Sequence, residues 1–209
     1  MALYLVRHGR AAAGIEDFDP GLDQLGRAQA ALAARALAEL TAGTEELRLI
    51  VSPLRRTRET AEPIAELLKL APEIRSEVSE VFDPAMKLDE RRSMLGPLLG
   101  GRWSEQSREL IAFRDRVFQA LLDFGGSPAI VVSHYVAISV ALGAALGEDR
   151  VAPVPIPNAS ISRLEVRDRK FFLLEAASAR HLSEGLLTGA SAALVGSAPG
   201  SRPGAHEAG

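Results

Sequence analysis

The sequence predicts an α/β protein, a three-layer α/β/α sandwich with a mostly parallel central sheet. Three observations carry this. Apolar stretches recur at 2–6, at 47–51 with Arg48 as the one interruption, and at 129–132, as buried strands do. Longer segments with helical spacing separate them, and a crossover between parallel strands needs such segments. Two alternating stretches, 160–166 and 171–177, read as a hairpin across Asp168-Arg169.

Each element has its own signal. Residues 2–6 are the first strand. Residues 10–21 read as a loop of small and turn-forming residues, among them Gly14, Pro20 and Gly21. Asp23 caps a helix running to about Leu40, with Leu25, Leu32 and Leu40 facing inward and Gly43 as the stop. The second strand, 47–51, runs into Ser52-Pro53. A helix over 54–68 follows, and Pro63 is expected to kink or divide it by removing a hydrogen bond. Residues 74–81 read as extended.

Pro84, Pro97 and Gly100-Gly101 interrupt the next stretch. Residues 81–104 are therefore expected to form a lid-like excursion with one short helix near 88–95. Ser104 is the expected cap of a strong helix over 105–124. Its apolar stripe is Leu110, Phe113, Val117, Leu121 and Phe124, and Gly125-Gly126 ends it. After the third strand, a helix over 136–146 closes at Gly147. From Thr188 the chain is mostly Gly, Ala, Ser and Pro. A single domain is expected over 1–187, with a disordered tail over 188–209.

Composition narrows the function classes. Of 209 residues, 47% are hydrophobic and 24% charged, an ordinary balance for one folded domain. The net charge of −3 argues against a nucleic-acid footprint. Lys69, Lys87 and Lys170 are the only lysines, so the basic side is nearly all arginine. Arginine grips phosphate through a planar fork. There is no cysteine, which excludes disulfides, thiolate nucleophiles and cysteine-ligated zinc. No apolar run reaches the ~18 residues of a membrane span, and the first residues lack the zones of a signal peptide. A cytoplasmic protein with no membrane and no nucleic-acid partner is expected.

Candidate ligands gather where strands end. Arg7, His8 and Gly9 follow the first strand. Ser52 follows the second, with Arg55 and Arg56 on the first turn of the next helix. Ser133 and His134 follow the third. Ligands in open α/β sheets bind beyond the carboxyl ends of the strands. Convergence there would set two arginines and two histidines around one anion, and a helix start would add free N–H groups. A neutral imidazole is a nucleophile that can attack phosphorus with no metal or cofactor. The cations would stabilise charge on the equatorial oxygens. A protonated carboxylic acid on a nearby loop would protonate the leaving oxygen and later activate water.

Four stretches at these places resemble the histidine phosphatase superfamily, in its phosphoglycerate mutase-like branch. They are Leu5-Val-Arg-His-Gly9, Leu22-Asp-Gln-Leu-Gly-Arg-Ala-Gln-Ala30, Ser52-Pro-Leu-Arg-Arg-Thr-Arg-Glu-Thr-Ala61 and Val132-Ser-His134. They fall in the family's order, within residues 3–166. The resemblance implies a phosphoglycerate mutase-like fold and a role for each matching position. His8 would be the phosphorylated nucleophile. Arg7, Arg56 and His134 would line the phosphate pocket. Arg55 occupies the family's variable position. Glu80, in Val78-Ser-Glu-Val-Phe82, stands where the family carries its proton donor, with Glu77, Asp83 and Glu105 as nearby competitors. Asn158, in Pro157-Asn-Ala-Ser160, resembles a late element that opens the last strand pair near the site. A homodimer is implied by the family alone.

The chain also departs from the family. Where the family often reads Arg-His-Gly-Glu-Thr, with an asparagine three residues on, this chain has Arg10, Ala11 and Gly14. A phosphate-contacting amide is lost, and a cation is added at the mouth. Tyr135 replaces the glycine after the second histidine, to narrow the pocket or stack on a substrate. Arg10, Gly14, Arg55, Tyr135 and Asn158 are thus the substrate-binding candidates. The expected activity is hydrolysis of phosphomonoesters, without a metal, through a phosphohistidine on His8. The substrate would be a small molecule or a phosphorylated protein. The alternatives are mutase-type phosphoryl transfer, protein-phosphohistidine dephosphorylation, and phosphate binding without catalysis.

Overall fold

The apolar runs become strands of one six-stranded sheet. The computed structural model describes residues 1–12, 17, 19–82, 86 and 88–189, with side chains excepted for 88–92. Gly14, Asp83 and residues 190–209, all used in the sequence expectations, lie outside the described residues.

The strands are β1 (Ala2–Arg7), β2 (Arg48–Val51), β3 (Pro72–Ile74), β4 (Ala129–Ser133), β5 (Ile161–Arg167) and β6 (Lys170–Ser178). Their order across the sheet is β3-β2-β4-β1-β5-β6. The first four in that order are parallel, and the β5–β6 hairpin adds antiparallel strands beside β1. Asp168 and Arg169 take positive φ (48° and 55°), as the tight turn of such a hairpin requires.

Helices α1 (Gln24–Leu40), α2 (Arg55–Leu68), α3 (Leu88–Gly100), α4 (Arg108–Phe124) and α5 (Tyr135–Leu146) complete the described elements. Alternation along β1 divides the core. Leu3 and Leu5 pack with the α4–α5 cluster, whereas Tyr4 and Val6 pack with Ala34, Leu37, Ala61 and Ile64 of α1 and α2. Both faces of the central strands are covered, which is why they read as unbroken apolar runs. Helix α5 is buried from Tyr135 through Gly143, so it carries no polar stripe. No helix among the described residues is long and apolar enough to cross a membrane.

Several local expectations are corrected. Asp23 does cap α1, accepting from the Gly26 N–H at 2.7 Å. The buried face of α1 is, however, Gly26, Gln29, Ala30, Ala33, Ala34 and Leu37, and Leu25, Leu32 and Leu40 are only half-buried. Small residues let this helix approach the rest of the protein closely. A Cβ on Gly9 would stand 2.5 Å from the Gly26 carbonyl oxygen, and one on Gly26 would strike the Arg10 carbonyl. Helix α2 is continuous through Pro63, and α3 runs through Pro97 to Gly100. A proline deletes one hydrogen bond, and the flanking turns carry the helix past it.

Strand β3 occupies 72–74, and a 3-10 turn at Ser76–Val78 replaces the extended reading of 74–81. That turn sinks Val78 into the core, where its carbonyl accepts from Ser133 Oγ at 2.7 Å. Ser107, not Ser104, caps α4. Ser104 Oγ donates instead to the Asp149 carboxylate at 2.5 Å. Finally, Thr188 and Gly189 are hydrogen-bonded to Asn158 and Arg7, so the packed chain extends beyond the expected boundary at 187.

Candidate active site

Parallel pairing brings the predicted residues to one edge. Arg7 lies beside Ser133 in the β1–β4 register. The His8 N–H donates to the Ser133 carbonyl at 3.0 Å, and the Ser52 N–H to the Val132 carbonyl at 3.1 Å. The ends of β1, β2 and β4 are thereby tied together by backbone bonds. Arg56 then enters from the first turn of α2 and is itself buried.

Arg56 organises the two imidazoles. Its Nε donates to His8 Nε2 at 3.3 Å, and its Nη2 to His134 Nδ1 at 3.2 Å. The two rings lie 5.2 Å apart. A guanidinium only donates, so both of these ring nitrogens are unprotonated acceptors. The other nitrogens fit this assignment. His8 Nδ1 lies 2.7 Å from the Gly9 carbonyl and donates to it. His134 Nε2 donates to Ser52 Oγ at 2.7 Å. Burial, and then the charges of Arg56 and Arg7, hold the His8 imidazole well below the ordinary histidine range. Burial and Arg56 do the same to His134. Both rings are neutral near pH 7, which is the nucleophilic form.

Arg7 completes the cationic side. Burial lowers its guanidinium to about 10, against the opposing charge of Glu80, so it remains a cation near pH 7. It stacks over the Tyr135 ring at 5.1 Å. Its Nη1 donates to the carbonyls of Ile156 (2.5 Å) and Gly189 (3.0 Å). Its Nε is buried and has no partner among the described residues.

Of the candidate acids, Glu80 reaches this cluster. Its Oε1 accepts from the Val81 N–H at 2.9 Å. Its Oε2 lies 3.7 Å from His134 Nδ1 and 3.9 Å from Arg56 Nη2. One oxygen is therefore anchored while the other faces the pocket. Glu77 is paired with Arg75 at 2.6 Å. Glu105 sits in the 3-10 turn at Trp103–Glu105.

The substrate-binding candidates fall in different places. Arg10 is paired with Asp23 at 2.6 Å, and Arg55 with Glu59 at 2.7 Å. Tyr135 uses its hydroxyl on the Val154 carbonyl at 3.0 Å and its ring on Arg7. Asn158 donates to the His8 carbonyl at 3.1 Å, so its amide supports the loop that carries His8.

Other participants carry no sequence assignment. Asp19 accepts from the Arg55 N–H at 2.9 Å, capping α2, and stands 3.8 Å from Arg56 Nη1. Thr60 Oγ1 accepts from the Gly9 N–H at 3.0 Å. Gln29 is fully buried and accepts from the Arg10 N–H at 2.8 Å. A glutamine among the inward alanines of α1 is the one signal that could have found this last group. Among the described residues, no three His, Asp or Glu side chains cluster as a metal ion would need.

A sheet edge with one buried and one half-buried arginine, two neutral histidines and a carboxylate is chemically suited to hold a phosphoryl group. The sequence model of the histidine phosphatase superfamily (branch 1) matches residues 3–178, and the chain belongs to that family. Solved structures agree on the fold. Bacillus stearothermophilus YhfR is 19% identical, with a TM-score of 0.68, over 86% of this chain and 98% of that one. A mycobacterial glucosyl-3-phosphoglycerate phosphatase is 19% identical, with a TM-score of 0.63, over 85% and 99%. An Entamoeba histolytica phosphoserine phosphatase is 19% identical, with a TM-score of 0.66, over 87% and 99%. A search of curated protein sequences finds no significant match.

Proposed function

We propose that the protein is a metal-independent phosphatase of phosphomonoesters that works through a phosphohistidine on His8. The observation that carries this is the placement of His8 Nε2, His134 Nδ1 and Glu80 Oε2 around the single guanidinium of Arg56. In the first half-reaction, the unprotonated lone pair of His8 Nε2, once released by the Arg56 Nε–H, forms a bond to phosphorus. The bond to the ester oxygen breaks, and Glu80 delivers the proton that oxygen needs. The imidazole gains positive charge as the P–N bond forms, and its Nδ1–H already points at the Gly9 carbonyl. Arg7 and Arg56 supply two positive charges to a phosphoryl dianion, fixed in place before the reaction. Arg7 Nε supports the same reading. Leaving a buried donor unpaired costs about 1–3 kcal/mol, and a phosphoryl oxygen removes that cost.

In the second half-reaction, Glu80 takes a proton from water, whose oxygen attacks phosphorus as the P–N bond breaks. Phosphate leaves, and neutral His8 is restored. The family, and structural neighbours named as phosphatases, support this class of reaction. The test is hydrolysis of an aryl phosphate by purified protein in the presence of EDTA. Turnover is expected to survive the chelator and to vanish in His8→Ala. Undiminished turnover in that variant ends the mechanism.

A further inference from the structure

The segment just beyond the expected domain boundary reaches the back of the active site. Gln29 Nε2 donates to the Leu186 carbonyl at 2.6 Å and to Thr188 Oγ1 at 2.8 Å. Thr188 Oγ1 donates to Asn158 Oδ1 at 3.1 Å, and Asn158 Nδ2 donates to the His8 carbonyl. The Thr188 carbonyl accepts from the Asn158 N–H at 2.9 Å. Gln29 Oε1 meanwhile holds the Arg10 N–H. The peptide groups on both sides of Gly9 are therefore fixed by one hydrogen-bonded chain that passes through Thr188. This node must accept and donate at once, which a threonine hydroxyl does and an isosteric valine cannot.

Gly189 makes the second contact. Its carbonyl and that of Ile156 hold Arg7 Nη1. Two carbonyls on one nitrogen orient the plane of the guanidinium fork and leave Nε for an anion. Gly189 has a φ of +73°, and a Cβ there would stand 2.8 Å from Arg7 Nη1 and strike Asn158 Oδ1. The position requires glycine for both its backbone conformation and its close approach.

We propose that Thr188 and Gly189 are positioning residues of the phosphate site. Thr188 holds the nucleophile loop through Asn158, and Gly189 aims the Arg7 guanidinium. This rests on the reading that Arg7 grips the phosphoryl group.

The test uses the full chain and three variants: Gly189→Ala, Thr188→Val and Thr188→Ser. Affinity for inorganic phosphate is measured by calorimetry, turnover with an aryl phosphate, and folding by urea denaturation. Misplacing a catalytic group by about 1 Å costs up to about a hundredfold. Gly189→Ala is expected to weaken phosphate binding and to lower kcat/KM, each by about tenfold or more. Thr188→Val is expected to lower kcat/KM by about tenfold, and Thr188→Ser to restore most of it. A purely structural role would move the urea midpoint and leave the phosphate affinity of the folded protein unchanged.

The proposal is overturned if Gly189→Ala binds phosphate like the wild type, or if Thr188→Ser and Thr188→Val fall equally. Each position is probed by its own variant, so misfolding of one variant leaves the other decisive. A wild type that binds phosphate without turnover refutes the phosphatase reading alone, and affinity still tests this proposal. A wild type that does neither refutes both.

Discussion

Acidification should destabilise the protein in a window set by its two buried imidazoles. His8 and His134 are held well below the ordinary histidine range in the folded state. Unfolded, each titrates near 6.5. Between the folded and unfolded values, the unfolded chain binds more protons. Stability therefore rises with pH there and is lost as pH falls through 6.5.

A histidine kept neutral in the fold costs about RT ln(1 + 10^(6.5 − pH)), or roughly 1 kcal/mol at pH 5.5 and almost nothing at pH 7.5. The pair should lose roughly 2–3 kcal/mol across that interval. Glu59, Glu73 and Glu77, whose carboxyls their arginine partners help hold low, contribute below pH 4.5 instead. The chosen window is thus nearly free of them. His181 is also lowered by burial, though it is less enclosed, and adds a smaller loss of the same sign.

Urea denaturation followed through Trp103, the only tryptophan, would measure this in a phosphate-free buffer at constant ionic strength. His8→Asn should roughly halve the slope. A change below about 1 kcal/mol between pH 7.5 and 5.5 would mean that the rings are already protonated in the fold, and the nucleophile assignment would fail.

Three further outcomes are expected. Glu80→Gln should lower kcat on an alkyl phosphate by about 10²–10⁴ and much less on p-nitrophenyl phosphate, whose leaving group needs no proton. Equal losses on the two substrates would remove Glu80 from the acid role. Arg56→Lys keeps the charge but loses the fork that reaches both histidines. A fall of about a hundredfold in kcat/KM with little change in melting temperature is expected, and near-normal kinetics would contradict the geometry. Gly26→Ala drives a methyl group into the Arg10 carbonyl, so about 1–3 kcal/mol of stability should be lost, as read by urea midpoint.

Much of the fold was legible because strands covered on both faces leave an unambiguous apolar run. Leu3–Val6 and Ala129–Val132 are such runs, and each delivers its ligands at the end where the strand stops. What failed was local competition. Ser104 and Ser107 offer the same capping chemistry three residues apart, and only packing against Asp149 decides between them. The leucines of α1 outweigh its alanines on any hydropathy reading, yet the close approach of Gly9 to Gly26 turns the small face inward.

The candidate site was legible where a polar residue ends or follows a strand, as at Arg7, His8 and His134. It was illegible where the partner is a backbone carbonyl. Nothing in the composition of Thr188-Gly189 distinguishes it from the small-residue chain that follows, and its contacts depend on Gln29 and Asn158 arriving from elsewhere. Glu80 lay between these cases. Its neighbours Glu77 and Asp83 carry the same chemistry, and the pairing of Glu77 with Arg75 becomes visible only in three dimensions.

The two chemical halves of the pocket hang from different supports. The imidazoles sit at the ends of β1 and β4, tied by main-chain bonds, and Arg56 reaches both from the start of α2 through its guanidinium. Glu80, the proposed acid, rides on the turn after β3. On the proposed mechanism, insertions or substitutions after that turn would reshape the departing alcohol's environment and shift its proton source, while the grip on phosphorus stays as it is. On that mechanism, a fold divided in this way can acquire new esters as substrates without rebuilding the proposed nucleophile.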